Sequence, residues 1–182
     1  MLNLFQVNVS DKTLEYIRTR VKEYPWNHIE MPDDGGWLYG TNMDYLKEFC
    51  DYWVNEYDWR KWEVKINKFS HFKAPVDDID IHFIMEKGSG PSPTPLLINH
   101  GWPGSVVEFL DIIEPLAHPE RFGGKEEDAF DVIAPSLPGF GFSGRPSRPM
   151  GHRKMAEIFN KLMTETLGYE NYLAQGGDWG SV

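Results

Sequence analysis

Gln175-Gly176-Gly177-Asp178-Trp179-Gly180-Ser181-Val182, entered from the apolar run Tyr172-Leu173-Ala174, is the stretch whose reading decides the fold. An apolar run that breaks into glycines reads as a strand entering a tight turn. One carboxylate, Asp178, sits at the tip, with Gly176 two residues before it and Gly180 two after. Alone, this pattern fits an ordinary turn as well as a special one, so its meaning rests on what precedes it.

Pro95-Leu96-Leu97-Ile98-Asn99 and Phe130-Asp131-Val132-Ile133-Ala134 are near-continuous apolar runs, as expected of strands buried on both faces. Two helical patterns follow them. The first covers residues 106–116. The second covers residues 152–167, with Met155, Ile158, Phe159, Leu162 and Met163 on one face and Gly168 as its stop. Strand, helix, strand, helix, strand at these lengths predicts a parallel doubly wound sheet with right-handed crossovers. Upstream, Phe69, His71 and Lys73 alternate with Ser70, Phe72 and Ala74, and Ile79, Ile81, Phe83 and Met85 alternate with polar neighbours. This predicts a hairpin that turns near residues 75–78 and brings the strand count to five. His71 and His82, both on the hairpin, read as structural.

The first 68 residues read as a helical region. Ser10 caps a helix marked by Leu14, Ile17 and Val21 and stopped by Pro25. An irregular connector runs from Pro25 to Gly40. Thr41 or Asn42 caps a second helix with Leu46, Phe49, Trp53 and Tyr57 on one face, and residues 58–67 form a short third. Trp26, Trp37, Trp53, Trp59 and Trp62 are expected to fill a core. The domain division is therefore 1–68 and 69–182.

The formal charge of −10 argues against a nucleic-acid or anionic-membrane partner. The single cysteine, Cys50, excludes an internal disulfide and fits a reducing compartment. The N-terminus has no basic start followed by a long apolar run, and no stretch reaches the roughly 18 apolar residues of a membrane span. A cytoplasmic location is the expectation.

Ligands of such sheets bind beyond the carboxyl ends of the strands. Three loops leave those ends: His100-Gly101-Trp102-Pro103-Gly104-Ser105, Pro135-Ser136-Leu137-Pro138-Gly139-Phe140-Gly141-Phe142-Ser143, and the Asp178 turn. In that setting the spacing of Gly176, Asp178 and Gly180 is that of the nucleophile elbow of α/β-hydrolases, with Asp in place of Ser. The fold class is α/β: the N-terminal half of an α/β-hydrolase fold, its first five strands ending at the elbow, behind a helical extension. A carboxylate is already ionised near neutral pH and needs no base before attack. It suits displacement at a saturated carbon, opening a strained ring or expelling halide, and leaves an ester on Asp178. Hydrolysis of that ester requires an oxyanion hole and an activated water. The backbone N–H groups of Trp102 and Trp179 are the candidate oxyanion donors. Pro103 has no N–H and fixes the backbone beside Trp102. His100 reads as a structural hydrogen-bonding residue, and Gly101, Gly176 and Gly180 complete the supporting loops. This chemistry calls for no metal and no cofactor. None of the six histidines, His28, His71, His82, His100, His118 and His152, follows the elbow, where this fold carries its base.

On four motifs in order, the chain resembles the N-terminal part of epoxide hydrolases of the microsomal type, a family of α/β-hydrolases. They are Tyr57-Asp58-Trp59-Arg60-Lys61-Trp62-Glu63, the His100 loop, the Pro135 loop and the Asp178 elbow. The resemblance covers essentially the whole chain. It implies addition of water to a small apolar epoxide, giving a vicinal diol, with Asp178 as nucleophile and the amides of Trp102 and Trp179 holding the oxyanion. In the family, lid tyrosines activate the epoxide oxygen, and a His paired with Asp or Glu activates water. The eight tyrosines here all precede the elbow and are not assigned that role. Mammalian microsomal members carry an N-terminal membrane anchor that this sequence lacks, so soluble relatives are expected to be nearest. Two rivals remain. A haloalkane dehalogenase also uses Asp followed by Trp, but typically has a halide-binding Asn where Trp102 stands and lacks the long extension. A non-catalytic fragment or assembly partner is the other: the 182-residue chain by itself is expected to be inactive and poorly soluble, with base, acid and lid supplied by a missing C-terminal half in the same or a second chain. A homodimer is left open.

Overall fold

A computed structural model describes residues 2–28 and 36–181; part of the expected connector, residues 29–35, lies outside the described residues. The chain divides into two compact units, Val7–Lys65 and a second that combines the N-terminal strand with the chain from Ile66 onward.

In the first unit, α1 (Asp11–Lys22) starts where the Ser10 hydroxyl accepts the Thr13 N–H, and α2 (Met43–Asn55) where the Asn42 side chain accepts the Tyr45 N–H. Both caps satisfy donors that the first helical turn leaves free. A third helix, α3 (Trp59–Ile66), carries the residues that knit the unit together. Glu63, nearly buried, accepts the Val9 N–H at 2.7 Å, the Trp59 indole N–H at 3.1 Å and the Arg60 guanidinium at 2.6 Å. Burial alone would raise the Glu63 carboxyl, but these donors and the Arg60 charge more than offset it and hold the group below the usual carboxylate range. The tryptophans do not form the expected core: Trp37, Trp53 and Trp62 are each more than one-third exposed, and neither α1 nor α2 contains a buried residue. A unit this small has too little interior to enclose large rings.

Among the described residues the second unit has six strands, not five: β1 (Asn3–Phe5), β2 (His71–Val76), β3 (Ile79–Glu86), β4 (Thr94–Asn99), β5 (Phe130–Pro135) and β6 (Leu173–Gly176), in the order β1-β2-β3-β5-β4-β6. The extra strand, β1, is three residues long and pairs antiparallel with residues 71–73. Leu4 is largely exposed, so no apolar alternation marks the strand in sequence. The hairpin β2–β3 turns at Asp77, whose φ is 53°, and β3 lies antiparallel to β5. β4 is parallel to both β5 and β6. The sheet is therefore mixed, with its parallel part where the βαβ pattern predicts it.

The expected helix over 106–116 is instead a 3-10 turn at Val106–Phe109, followed by α4 (Ile113–Ala117). Pro115 explains the break. It lacks an N–H and its ring would strike the carbonyl four residues back in a continuous helix, but it fits the first turn of a new one. The expected helix over 152–167 is α5 (His152–Lys161) followed by a π-helical turn at Leu162–Thr166. Its apolar face packs Ile158, Phe159, Leu162 and Met163 with Ala74, Ile81, Phe83, Leu97 and Ile133 of the sheet.

Within this unit three buried polar side chains form a chain. His71 Nε2 contacts the Ile66 carbonyl at 2.9 Å, His71 Nδ1 contacts His82 Nε2 at 3.0 Å, and His82 Nδ1 contacts the Ser136 hydroxyl at 2.9 Å. A carbonyl only accepts, so His71 carries its proton on Nε2. Its Nδ1 must then accept from His82 Nε2–H, leaving His82 Nδ1 to accept the Ser136 O–H. With both rings kept neutral by burial, one carbonyl thus sets the direction of three hydrogen bonds.

Burial, then the nearby His71 and Lys73 of β2, push His82 down to about 3, and burial lowers His71 as well. The unfolded chain binds protons at these sites below about 6.5 while the folded chain resists them, so stability is full above that pH and declines as pH falls. Urea unfolding from pH 6.5 down to about 5, above the range where carboxylates add most of their own effect, is expected to show a loss approaching about 1.4 kcal/mol per pH unit from His82, with a further loss in the same direction from His71. A flat profile over that interval would contradict the buried neutral pair.

Candidate active site

The parallel register between β4 and β6 pairs Asn99 with Gly176. The chain leaving β4 reaches Trp102 three residues later, and the chain leaving β6 reaches Asp178 two residues later. β5 lies on one side of β4 and β6 on the other, so this is where the winding of the sheet reverses and a crevice opens at the strand ends.

Asp178 has φ 53°, a left-handed conformation that Asp tolerates better than most residues, and it opens a 3-10 turn at Asp178–Ser181. The Ser181 hydroxyl donates to the Asp178 carbonyl at 2.7 Å and Gly180 N–H to the Gly177 carbonyl at 2.9 Å, closing the turn. The glycines are dictated by close approach. A Cβ at Gly176 would lie 2.0 Å from the Gly180 carbonyl oxygen, and one at Gly180 2.5 Å from that of Asn99. A Cβ at Gly101 would lie 2.5 Å from the Asp178 side chain.

Trp102 N–H donates to Asp178 Oδ1 at 2.9 Å, and the amide of Trp179, next along the chain, adds to the stabilisation of the carboxylate's charge. The Trp179 amide first, then that of Trp102, hold the Asp178 carboxyl below the usual carboxylate range, so it is ionised at neutral pH. The two amides expected to serve an oxyanion thus converge on the carboxylate itself. Asp178 and the indoles of Trp102 and Trp179 are exposed at the strand ends. The Trp102-Pro103 peptide is cis.

His100, 1% exposed, accepts the Leu137 N–H on Nε2 at 3.0 Å and donates from Nδ1 to the Gly101 carbonyl at 2.9 Å. Burial lowers its pKa and keeps it neutral, because a proton on Nε2 would face the Leu137 N–H. In sequence, His152 starts a helical pattern and is one of the six histidines that precede the elbow. Its ring stacks on the Trp179 indole, with centroids 4.9 Å apart and planes within 7°. The two border a cavity of about 50 Å³ with Asn99, whose Oδ1 is buried and has no hydrogen-bond partner among the described residues. No sequence spacing could have linked His152 to the elbow, because the link is made by the docking of α5. Among the described residues no group of three or more His, Cys, Asp or Glu could hold a metal ion, and no helix is long and apolar enough to cross a membrane.

Residues 2–109 match the family model of the epoxide hydrolase N terminus, and residues 94–182 that of the alpha/beta hydrolase fold. The chain is 39% identical over 178 residues to a putative epoxide hydrolase of Stigmatella aurantiaca, covering 97% of this chain and 40% of that protein. It is 41% identical over 184 residues to epoxide hydrolase 1 of Sus scrofa, covering 98% and 40%. Among solved structures, the juvenile hormone epoxide hydrolase of the silkworm Bombyx mori superposes with a TM-score of 0.84 at 32% identity, over 100% of this chain and 42% of that one. The Aspergillus niger epoxide hydrolase gives 0.85 at 30%, over 100% and 47%. The chain thus spans about 40% of the length of the curated relatives it matches.

Crowding at the elbow makes its glycines unequal. Gly176→Ala and Gly180→Ala are expected to lose about 2–3 kcal/mol or more, because the added methyl meets backbone that has no room to yield. Gly177→Ala meets nothing within 4 Å and is expected to cost less than about 1 kcal/mol. Urea midpoints of the three variants check this ranking; equal losses at all three would contradict the packing.

Proposed function

The chain belongs to the epoxide hydrolase family of α/β-hydrolases, and on that premise we propose that Asp178 is the nucleophile that opens an epoxide, with water completing a vicinal diol. The observation that carries this reading is the Trp102 N–H held 2.9 Å from Asp178 Oδ1, on a turn that closes against Gly101.

The fixed oxygen makes the two carboxylate oxygens unequal. Oδ1 is tied to an amide, which leaves Oδ2 to attack a ring carbon. The C–O bond of the epoxide breaks and its oxygen leaves as an alkoxide that takes up a proton. Asp178 is left as an ester whose carbonyl oxygen, Oδ1, already lies against the Trp102 amide. Attack of water on the carboxyl carbon puts negative charge on that oxygen, where the amides of Trp102 and Trp179 stabilise it. Collapse of this intermediate expels the diol and restores the carboxylate. The acid for the alkoxide and the base for water are not assigned to any residue of this chain.

The substrate class is a small apolar epoxide, in keeping with the exposed indoles of Trp102 and Trp179 beside the carboxylate. The dehalogenase reading is disfavoured by Trp102 and by the residues that match the epoxide hydrolase N terminus.

In a protein carrying this sequence, diol formation from styrene oxide is expected to exceed halide release from 1-bromobutane. Asp178→Ala is expected to abolish turnover, and Asp178→Asn to lower it by about a thousandfold or more. Halide release without diol formation, or full activity of the alanine variant, would overturn the assignment.

A further inference from the structure

The Pro135 loop carries a serine that the proposed chemistry does not use, yet every polar group of that serine is committed. Ser136 N–H donates to the His82 carbonyl at 2.8 Å, its carbonyl accepts the Ser143 hydroxyl at 2.8 Å, and its own hydroxyl reaches His82 Nδ1 at 2.9 Å. His82 N–H in turn donates to Ser143 Oγ at 2.9 Å. Ser136 is fully buried, and Gly141 closes over it so tightly that a Cβ there would lie 2.8 Å from the hydroxyl. The next residue supplies the Leu137 N–H that His100 accepts. His100 then binds the Gly101 carbonyl, and the amide that follows is the Trp102 N–H on Asp178.

We infer that Ser136 and His82 are positioning residues for the nucleophile: they fix the Pro135 loop so that Leu137, through His100, aims the Trp102 amide at Asp178 Oδ1. The direction of the bonds requires this order. The Ile66 carbonyl forces His71 to carry its proton on Nε2, His71 forces the same on His82, and His82 Nδ1 then claims the Ser136 proton. The Ser136 hydroxyl is thereby held in one rotamer, and Ser143, bonded to both the Ser136 carbonyl and the His82 N–H, ties the far end of the loop to the same two residues. Loss of the hydroxyl leaves His82 Nδ1 buried without a donor, and a buried acceptor in that state recruits a shift of its surroundings. The shift is passed to Leu137 by the chain itself.

The inference draws its meaning from the reading of Asp178 as nucleophile, but its test measures no turnover, so the two fail separately. Ser136→Ala and a core control, Ile158→Val, are compared by NMR in a protein carrying this sequence. Ser136→Ala is expected to speed hydrogen exchange of the Trp102 amide about tenfold relative to Leu97 in β4, and to raise the Asp178 carboxyl toward its ordinary value as the amide loosens. Ile158→Val, a truncation in the same core, is expected to do neither. An unchanged Trp102 amide and Asp178 titration in Ser136→Ala, or equal changes in the control, would overturn the inference. Ring ¹⁵N shifts of the unaltered chain provide a check that no substitution can spoil: the proton of His82 is expected on Nε2, and finding it on Nδ1 would break the chain at its centre.

Discussion

Where β4 and β6 end side by side, the backbone of Gly180 lies so close to the carbonyls of Asn99 and His100 that no side chain fits between them. This contact is the constraint on which the site depends. It requires glycine at 180, as the Gly180 carbonyl in turn requires it at 176, and it brings the loop after β4 within hydrogen-bond reach of the carboxylate of Asp178, at the tip of the turn with a left-handed backbone. Gly101 meets the same demand from the opposite side, since any Cβ there would collide with Asp178. The site is thus less a set of side chains than a place where two strand exits touch.

Electrostatics follow from that contact. Two backbone amides meet one exposed carboxylate, stabilise its charge, and hold one oxygen more firmly than the other. The same donors that keep Asp178 ionised at rest suit the oxyanion proposed for the ester stage, so little rearrangement separates the two steps. Neutral buried histidines support the arrangement from behind. His100 serves one loop, and the pair His71 and His82 serves the other, each with its tautomer set by a backbone group that cannot change role.

Much of this was legible in the sequence because it is local. Ser10, and Asn42 as one of two candidate caps with Thr41, announce their helices by capping chemistry, and the apolar runs that became β4 and β5 are continuous because those strands lie inside the sheet. The elbow could be read because close backbone approach excludes side chains and therefore writes itself as glycine. What escaped is non-local. β1 is made by pairing with residues nearly seventy positions away, and Leu4 gains no burial from it. His152 and Trp179 meet only because α5 docks as it does. The polarity of the histidine chain depends on where one carbonyl points. Pro115, by contrast, was a visible signal against a continuous helix and outweighs the apolar spacing around it.

The central claim, that Asp178 forms an ester which water then hydrolyses, is tested most directly by isotope tracing. A protein carrying this sequence would be taken through a single turnover of styrene oxide in H₂¹⁸O, with enzyme in excess. The account predicts that the label appears in the Asp178 carboxylate and that the first diol released carries the original, unlabelled carboxylate oxygen. Label in the first diol, with none in Asp178, would mean that water attacks the epoxide directly and would contradict it.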